Sequence, residues 1–452
     1  MMVTAGRPGE TNEDFPDRSP AGIARALARR IAEGRLAPGD RLPTVRELAA
    51  TLGVSPATVS GAWGALAAAG LTVSRGRAGT FVAAPRREWL TGRVKGLSLH
   101  GGPEGLDLSG GTPDPALLPS LDRAFERVRL RADTGRYHDV PVMPELAGIL
   151  ERTWPVRAEA ITVVDGALDA ISRTLDEVVG YGDRIAVESP GFPYFFDLIE
   201  ALGAEAVPLR LDQEGVEPAS LARALAAGPV AVILQPRAQN PTGASMSPHR
   251  ARLLARVVRE SRRAERVVVI EDDHSGMIAM APDVTLAHWL PQQVVHVRSF
   301  SKSHGPDLRI AALGGPRRIV ERVVARRMLG PGWTSRLLQG VLAEMLTDPR
   351  SRATVAGARL TYRDRSERLS AALRREGVPV VPADGINLWL PVADERSAEV
   401  SLASAGITVA AGSPFVIDGA VGPHVRVTAG SVEGDASAVA GALAAAARAV
   451  LS

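Results

Sequence analysis

From about residue 108 the chain alternates short apolar runs with longer, helix-patterned stretches, and this alternation limits its fold more than any other feature. The runs cover residues 160–164, 184–187, 230–234, 267–270 and 294–297, and each is rich in Val and Ile. Strand-length runs alternating with helices imply an α/β unit, a largely parallel sheet with helices on both faces. In such sheets ligands bind beyond the carboxyl ends of the strands. Four of these ends carry polar clusters: Asp165-Gly166-Ala167-Leu168, Gln239-Asn240-Pro241-Thr242-Gly243, Glu271-Asp272-Asp273-His274 and Arg298-Ser299-Phe300-Ser301-Lys302, the last followed by Arg309.

Lys302 stands out against the rest of the chain. Of 53 basic residues only Lys95 and Lys302 are lysine. Arginine can replace lysine wherever a positive charge suffices, but it stays protonated and forms no Schiff base. A lysine kept among arginines, at a strand end, marks lysine-specific chemistry; Lys95, in a glycine-rich stretch, reads as a chance survivor. Lysine, carboxylate, amide donor, arginine and a glycine turn opening a helix together form the set that pyridoxal phosphate (PLP) chemistry needs. Lysine attaches the cofactor, the carboxylate keeps the pyridine nitrogen protonated, and arginine with helix-terminal N–H groups clamps the phosphate.

The N-terminal part is organised differently. A helix is expected from about residue 20 to 33, with Ile23, Leu27 and Ile31 on one face. Thr44-Val45-Arg46-Glu47 reads as a capping box opening a second helix, and Ser55-Pro56 opens a third that runs to Ala69 with Gly70 as its stop. A hairpin follows, its tip carrying Arg75 and Arg77. Two short helices across a tight turn, then a hairpin wing, form a winged helix-turn-helix. Between residues 15 and 95 thirteen basic residues face five acidic ones, the footprint of a polyanion binder. Ser55, Thr58 and Ser60, at the start of the third helix, are candidates for base edges in a major groove, Arg46, Arg75 and Arg77 for phosphates, and Thr44 for a DNA contact beside its capping role.

The stretch from Gly34 to Ala49, with Gly53-Val54-Ser55 and Gly79-Thr80-Phe81-Val82, closely resembles the GntR family of winged-helix repressors. The later motifs resemble fold-type I PLP enzymes, the aspartate aminotransferase superfamily, with a smaller C-terminal α+β subdomain from about residue 330. That resemblance implies Lys302 as the aldimine lysine, Asp272 as the pyridine-nitrogen partner and Asn240 as the partner of the ring hydroxyl. It also implies a phosphate cup of Gly166, Ala167, Leu168, Ser299, Ser301 and Arg309, with Phe192 stacked on the ring. Tyr137 resembles the tyrosine that reaches a partner subunit's cofactor, and Arg426 the arginine that grips a substrate carboxylate. A GntR-type head on an aminotransferase-type body is the MocR subfamily of regulators. Such a chain is expected to be a homodimer that binds double-stranded DNA and responds to PLP or another B6 vitamer, an amino acid or an amine.

The sequence departs from the subfamily at several points. His274 stands where tyrosine is usual, and its protonation near neutral pH would change the ring's electronics. Val142 and Ala147 stand where glycine and arginine are common, whereas Asn240 is closer to the true aminotransferases. Slow or partial transamination at most is therefore expected. The competing readings are an active aminotransferase whose head serves autoregulation, and a regulator whose body no longer binds PLP.

The expected domains are residues 15–83 for the head, 84–107 for a flexible connector and 108–452 for the body. The absence of cysteine rules out disulfides, thiolate metal sites and cysteine nucleophiles, and no metal site is expected. No apolar run approaches the ~20 residues of a membrane-spanning helix. The N-terminus lacks the layout of a secretory signal, so a cytoplasmic location is expected.

Overall fold

The computed structural model describes residues 15–449 apart from 33, 69–70, 84–90, 96–104, 129–139 and 263. The chain divides into two compact units, one containing the residues up to Thr91 and the other most of the chain from Gly92 onward.

In the first unit, helices α1 (Pro20–Ala32), α2 (Val45–Leu52) and α3 (Pro56–Ala68) precede strands β1 (Thr72–Ser74) and β2 (Thr80–Val82). The capping box forms as expected. The Thr44 hydroxyl accepts from the Glu47 N–H at 3.3 Å, and the Glu47 carboxylate accepts from the Thr44 N–H at 2.7 Å. Gly53 ends α2 with φ +66°, a left-handed conformation that sends its N–H back to the Ala49 carbonyl. Ile23, Leu27, Leu48, Leu52, Val59 and Leu66 are all nearly or fully buried in one core. Each contributes on the order of 1.5–3 kcal/mol by leaving water. The hairpin pairs Thr72 with Val82 and Ser74 with Thr80, and a single 3-10 turn, Gly76–Ala78, forms its tip. The expected end of α3 at Ala69 and Gly70 lies outside the described residues.

The second unit holds a seven-stranded sheet. Its strands are β4 (Ala160–Val164), β5 (Arg184–Glu188), β6 (Glu205–Leu209), β7 (Ala231–Leu234), β8 (Val268–Asp273), β9 (Val294–Ser299) and β10 (Ala311–Gly315). Their spatial order is β4-β10-β9-β8-β7-β5-β6. The central pairs β5/β7, β7/β8 and β8/β9 are parallel, and β10 runs antiparallel to both β9 and β4. The five strands expected from sequence are all present. The two that were missed, β6 and β10, lack the Val/Ile density of the others; β10 reads Ala-Ala-Leu-Gly-Gly, small residues needed where Gly314 packs under Trp154.

The expected flexible connector is corrected at its C-terminal end. Leu106–Asp107 form strand β3, paired in parallel with Ile407–Thr408, and Gly92–Lys95 form one helical turn. Leu108 then enters, fully buried, a core otherwise built from residues 369–447. A two-residue strand is too short to show periodicity, and the glycines around it masked the apolar anchor. The smaller subdomain therefore draws on this segment as well as on the chain beyond residue 330. No helix among the described residues is long and apolar enough to cross a membrane.

Candidate functional site

Beyond the carboxyl ends of β4, β7, β8 and β9 lies a cavity of about 730 Å³. Its wall contains the expected Ala167, Leu168, Phe192, Asn240, Asp272 and His274. It also contains Ser299, Ser301, Lys302, Arg309 and Arg426. Tyr137 and the Arg77 side chain lie outside the described residues, as does the side chain of Lys95.

The pleat of β8 sorts its acids. Asp272 faces the cavity, while Glu271 and Asp273, one step either way, point to the opposite side of the sheet. There Glu271 accepts from Thr285 Oγ1 at 2.5 Å and from His296 Nδ1 at 2.9 Å, and Asp273 is held by Arg237 at 2.5 Å. These two acids are structural, so the expected carboxylate cluster reduces to one free carboxylate. Asp272 Oδ2 accepts from Gln235 Nε2 at 2.7 Å; Oδ1 is buried with no partner. Burial pushes the Asp272 carboxyl up to about 7.

Lys302 sits in the first turn of the short helix Ser301–His304, directly after β9, and its Nζ donates to the Gly111 carbonyl. Burial, helped by the nearby Arg426 charge, pulls the amine down to about 8. A substantial neutral fraction then exists near neutral pH, as a nucleophilic lysine requires. His274 donates from Nε2 to the Ala238 carbonyl at 2.9 Å, since a carbonyl can only accept, which leaves Nδ1 as an acceptor. Burial, with Lys302 beside it, pushes His274 down to about 4. The expected protonation of this imidazole near neutral pH is thereby corrected: it stays neutral.

Gly166 takes φ +105° and opens helix α4 (Ala167–Val178) with no side-chain cap. That φ is one side chains rarely adopt, and a Cβ there would also stand 2.7 Å from Arg309 Nη2, the movable end of that side chain. Arg309 itself holds φ +48°, unusual for a residue with a side chain, and donates to the Asp165 carbonyl at 3.2 Å. Helix N–H groups, two serine hydroxyls and a guanidinium thus converge, the donor set that suits a phosphate dianion.

On the other side Arg426, in β11 (His424–Val427), is 3% exposed. It donates to the Ser109 carbonyl, approaches Asn240 Oδ1 at 3.4 Å and stacks on Phe415 at 5.0 Å, while its Nε has no partner. Burial lowers its pKa to about 10, so it remains a cation.

Sequence reasoning missed Gln235 and the segment from Asp107 to Gly111. The first has no motif of its own; the second straddles the expected boundary at Asp107 between connector and body, and carries no run or motif that marks it.

A family model for aminotransferase class I and II matches residues 104–443, and one for bacterial regulatory proteins of the gntR family matches residues 21–82. The vitamin B6 salvage pathway transcriptional repressor PtsJ of Salmonella typhimurium is 39% identical over 399 residues, 87% of this chain and 90% of that protein. This chain is a GntR-type regulator of the MocR kind. The regulator TauR of Rhodobacter capsulatus is 30% identical, covering 85% of this MocR-type chain and 87% of its own. The pyridoxine biosynthesis regulator PdxR of Corynebacterium glutamicum is 28% identical, with 80% of each chain covered. Among solved structures, the α-aminoadipate aminotransferase LysN of Thermus thermophilus has a TM-score of 0.67 at 22% identity, covering 79% of this chain and 95% of its own. These solved structures establish the fold-type I architecture of the body, and the aminotransferase family implies PLP as its cofactor.

The head of this MocR-type regulator binds DNA, and its expected contact residues fall into two groups. Arg46 and Ser60 are exposed. Thr44 is occupied with capping, and Ser55 Oγ both accepts from the Thr58 N–H at 3.1 Å and pairs with Thr58 Oγ1 at 2.8 Å. The exposed stripe of α3 runs through Ala57, Ser60, Gly61 and Gly64, so Ser60 lies on it and half-buried Thr58 at its side. Arg75 is exposed with its guanidinium over Phe81 at 5.0 Å.

Proposed function

We propose that this regulator binds PLP in the cavity and that the occupied cavity sets its affinity for DNA. The observation that carries this is the buried, unpartnered Asp272 Oδ1, set in the same wall as Lys302 and the Gly166–Arg309 anion cup. A buried carboxylate oxygen that no protein donor reaches calls for one from a ligand, and a pyridinium N–H supplies it. In this reading Lys302 is the covalent anchor and Asp272 the ring-nitrogen partner. Asn240 and His274 Nδ1 serve the ring hydroxyl, and Phe192 covers the ring. Gly166, Ala167, Leu168, Ser299, Ser301 and Arg309 hold the phosphate. PLP, when bound, supplies a carbonyl carbon that amines attack and a ring that withdraws electrons.

The contacts of Lys302 and Arg426 give occupancy a route to the head. Lys302 and Arg426 both donate to carbonyls of residues 109–111. A cofactor on Lys302, or a ligand carboxylate on Arg426, must displace those carbonyls. The chain then continues from this segment through residues 84–105 to the head. The effector is a B6 vitamer, PLP foremost, in keeping with the names of PtsJ and PdxR; an amino acid gripped by Arg426 is the second candidate. The protein acts as a homodimer, for which Tyr137 completes the partner's site. Exposed Val140 and Leu329, at 62% and 81%, are apolar surface that a second copy would cover. In this reading the head spans 15–83 and the connector begins at 84, the body taking up from Leu106 rather than from residue 108, and the setting is the cytoplasm.

The test is a titration of the chain's own upstream DNA with and without PLP, using wild type and Lys302→Ala. A PLP-dependent change in affinity in wild type alone supports the reading. Equal binding in all four cases refutes PLP as the signal. Asn240 and Arg426 together favour a second reading, a working aminotransferase, and sustained keto-acid production from an amino acid would establish it.

A further inference from the structure

Gln235, at the end of β7, stands at the junction of the site's two ring-binding residues. Its Oε1 accepts from the Asn240 backbone N–H at 2.8 Å. A backbone N–H can only donate, so the amide orientation is fixed, and Nε2 is the group that faces Asp272 Oδ2 at 2.7 Å. Its own backbone N–H donates to Glu188 Oε1 at 3.0 Å, and Glu188 Oε2 accepts from Gln239 Nε2 at 3.1 Å. Gln235, Glu188, Gln239 and Asp272 are each at least 97% buried. One side chain therefore sets the separation between Asp272 and the Asn240 main chain, and a buried acid locks that side chain's strand end.

We propose that Gln235 is a positioning residue for the bound pyridine ring, holding Asp272 by one oxygen so that the other stays free and charged for the ring nitrogen. The inference rests on the PLP reading of the cavity. A neutral donor is the chemistry this task requires. An arginine or lysine here would neutralise Asp272 in advance and weaken its pull on a ring cation, whereas an apolar residue would leave Oδ2 buried and unsatisfied. The other titratable or charged groups acting on Asp272 are Asp273, His296, Lys302 and Glu188. None of them donates a hydrogen bond to it, so Gln235 is its hydrogen-bonding partner among the described residues.

The test uses full-length protein loaded with PLP. Gln235→Met keeps the side chain's length and removes the donor. It is expected to melt within a few degrees of wild type, to bind PLP about tenfold more weakly, and to shift the acid-side midpoint of the bound cofactor's visible absorbance up by about one pH unit. These magnitudes are those of one lost charge-assisted hydrogen bond. The direction follows because Asp272 without its donor protonates at higher pH. Unchanged affinity and an unchanged midpoint in a folded Gln235→Met protein overturn the proposal. Should that variant not fold, Gln235→Glu preserves shape and the Asn240 contact but sets a second acid against Asp272. Its PLP affinity is then expected to fall more steeply with rising pH than that of wild type, and parallel pH profiles overturn the proposal equally. Wild type that fails to bind PLP refutes the cofactor reading itself, a result distinct from either variant outcome.

Discussion

Gly111 lies directly against Arg426: a Cβ on Gly111 would stand 3.0 Å from Arg426 Nη1, and the glycine's φ of +58° is one that side chains disfavour. Strain and contact act together at this position. Gly111→Ala is expected to destabilise the body by about 1–3 kcal/mol, seen as a lower urea midpoint with an unchanged slope. Because Gly111 also supplies the carbonyl that Lys302 contacts, the same variant should lose much of the PLP-dependent change in DNA affinity while still binding DNA. Full retention of the PLP response would break the link drawn between this segment and the signal.

Two buried acids make the protein sensitive to alkali. The carboxyls of Asp272 and Glu188 are raised to about 7 and about 8, mainly by burial. In the unfolded chain both titrate near ~4. Between those limits these two acids hold more protons in the folded state than in the unfolded one, so the stability they contribute falls as pH rises from about 4 to about 8. Below about 6.5 the buried His274 and His304 offset it, and the net decline lies between about 6.5 and 8. Each group contributes a slope of about 1.4 kcal/mol per pH unit inside its own window. Glu188→Gln is expected to flatten the upper part of that decline, measured by urea unfolding between pH 5 and pH 8. PLP should flatten the part due to Asp272, because it supplies the missing partner.

The acid side is set by histidine. His274 and His304 are both pushed down to about 4 by burial, against ~6.5 unfolded. Their neutral forms are the ones the fold accepts, so the stability they permit is present above about 6.5 and is lost as pH falls toward 4. His274→Tyr should remove one proton from this acid-side dependence and retain PLP binding, since the phenol can still meet the ring hydroxyl. Between pH 6 and pH 8 the PLP response should vary with pH in the same way in wild type and in His274→Tyr, because Asp272 and Lys302 titrate there and His274 does not. A response that changes with pH in wild type and not in the variant would contradict the neutral assignment.

Much of this architecture was legible in the sequence because its signals are local. The Thr44–Glu47 box, the Gly53 stop and the Val/Ile runs of β4, β7, β8 and β9 each follow from neighbouring residues. The polar groups after those strands stood out because strand ends are where α/β sheets bind ligands. What escaped depends on long-range contact. Gln235 matters only because β7 and β8 are adjacent and their carboxyl ends level, a register that nothing within either strand reveals. Leu106–Asp107 becomes a strand only because Ile407–Thr408 lies beside it. His274 reads as a titrating imidazole until its burial is known. The roles of Glu271 and Asp273 were likewise set by partners far along the chain, Thr285 and Arg237.

The head offers a separation of affinity from specificity. Arg46 and Arg75 are exposed cations with no carboxylate partner among the described ion pairs, so each is free to meet a phosphate. Arg46→Ala and Arg75→Ala should each weaken binding to specific and non-specific DNA alike. Each should also reduce the slope of log affinity against log salt by about 0.9. Ser60 differs because it sits on the small-residue stripe of α3, flanked by Ala57, Gly61 and Gly64, where the helix can approach base edges closely. Ser60→Leu should therefore cost about 1–3 kcal/mol on the operator and little on non-specific DNA, leaving the salt slope unchanged. Titrations of operator and scrambled duplexes across a salt series read both quantities. A Ser60→Leu protein whose losses are equal on the two duplexes would remove α3 from the reading helix role and leave Arg46 and Arg75 as the contacts that matter.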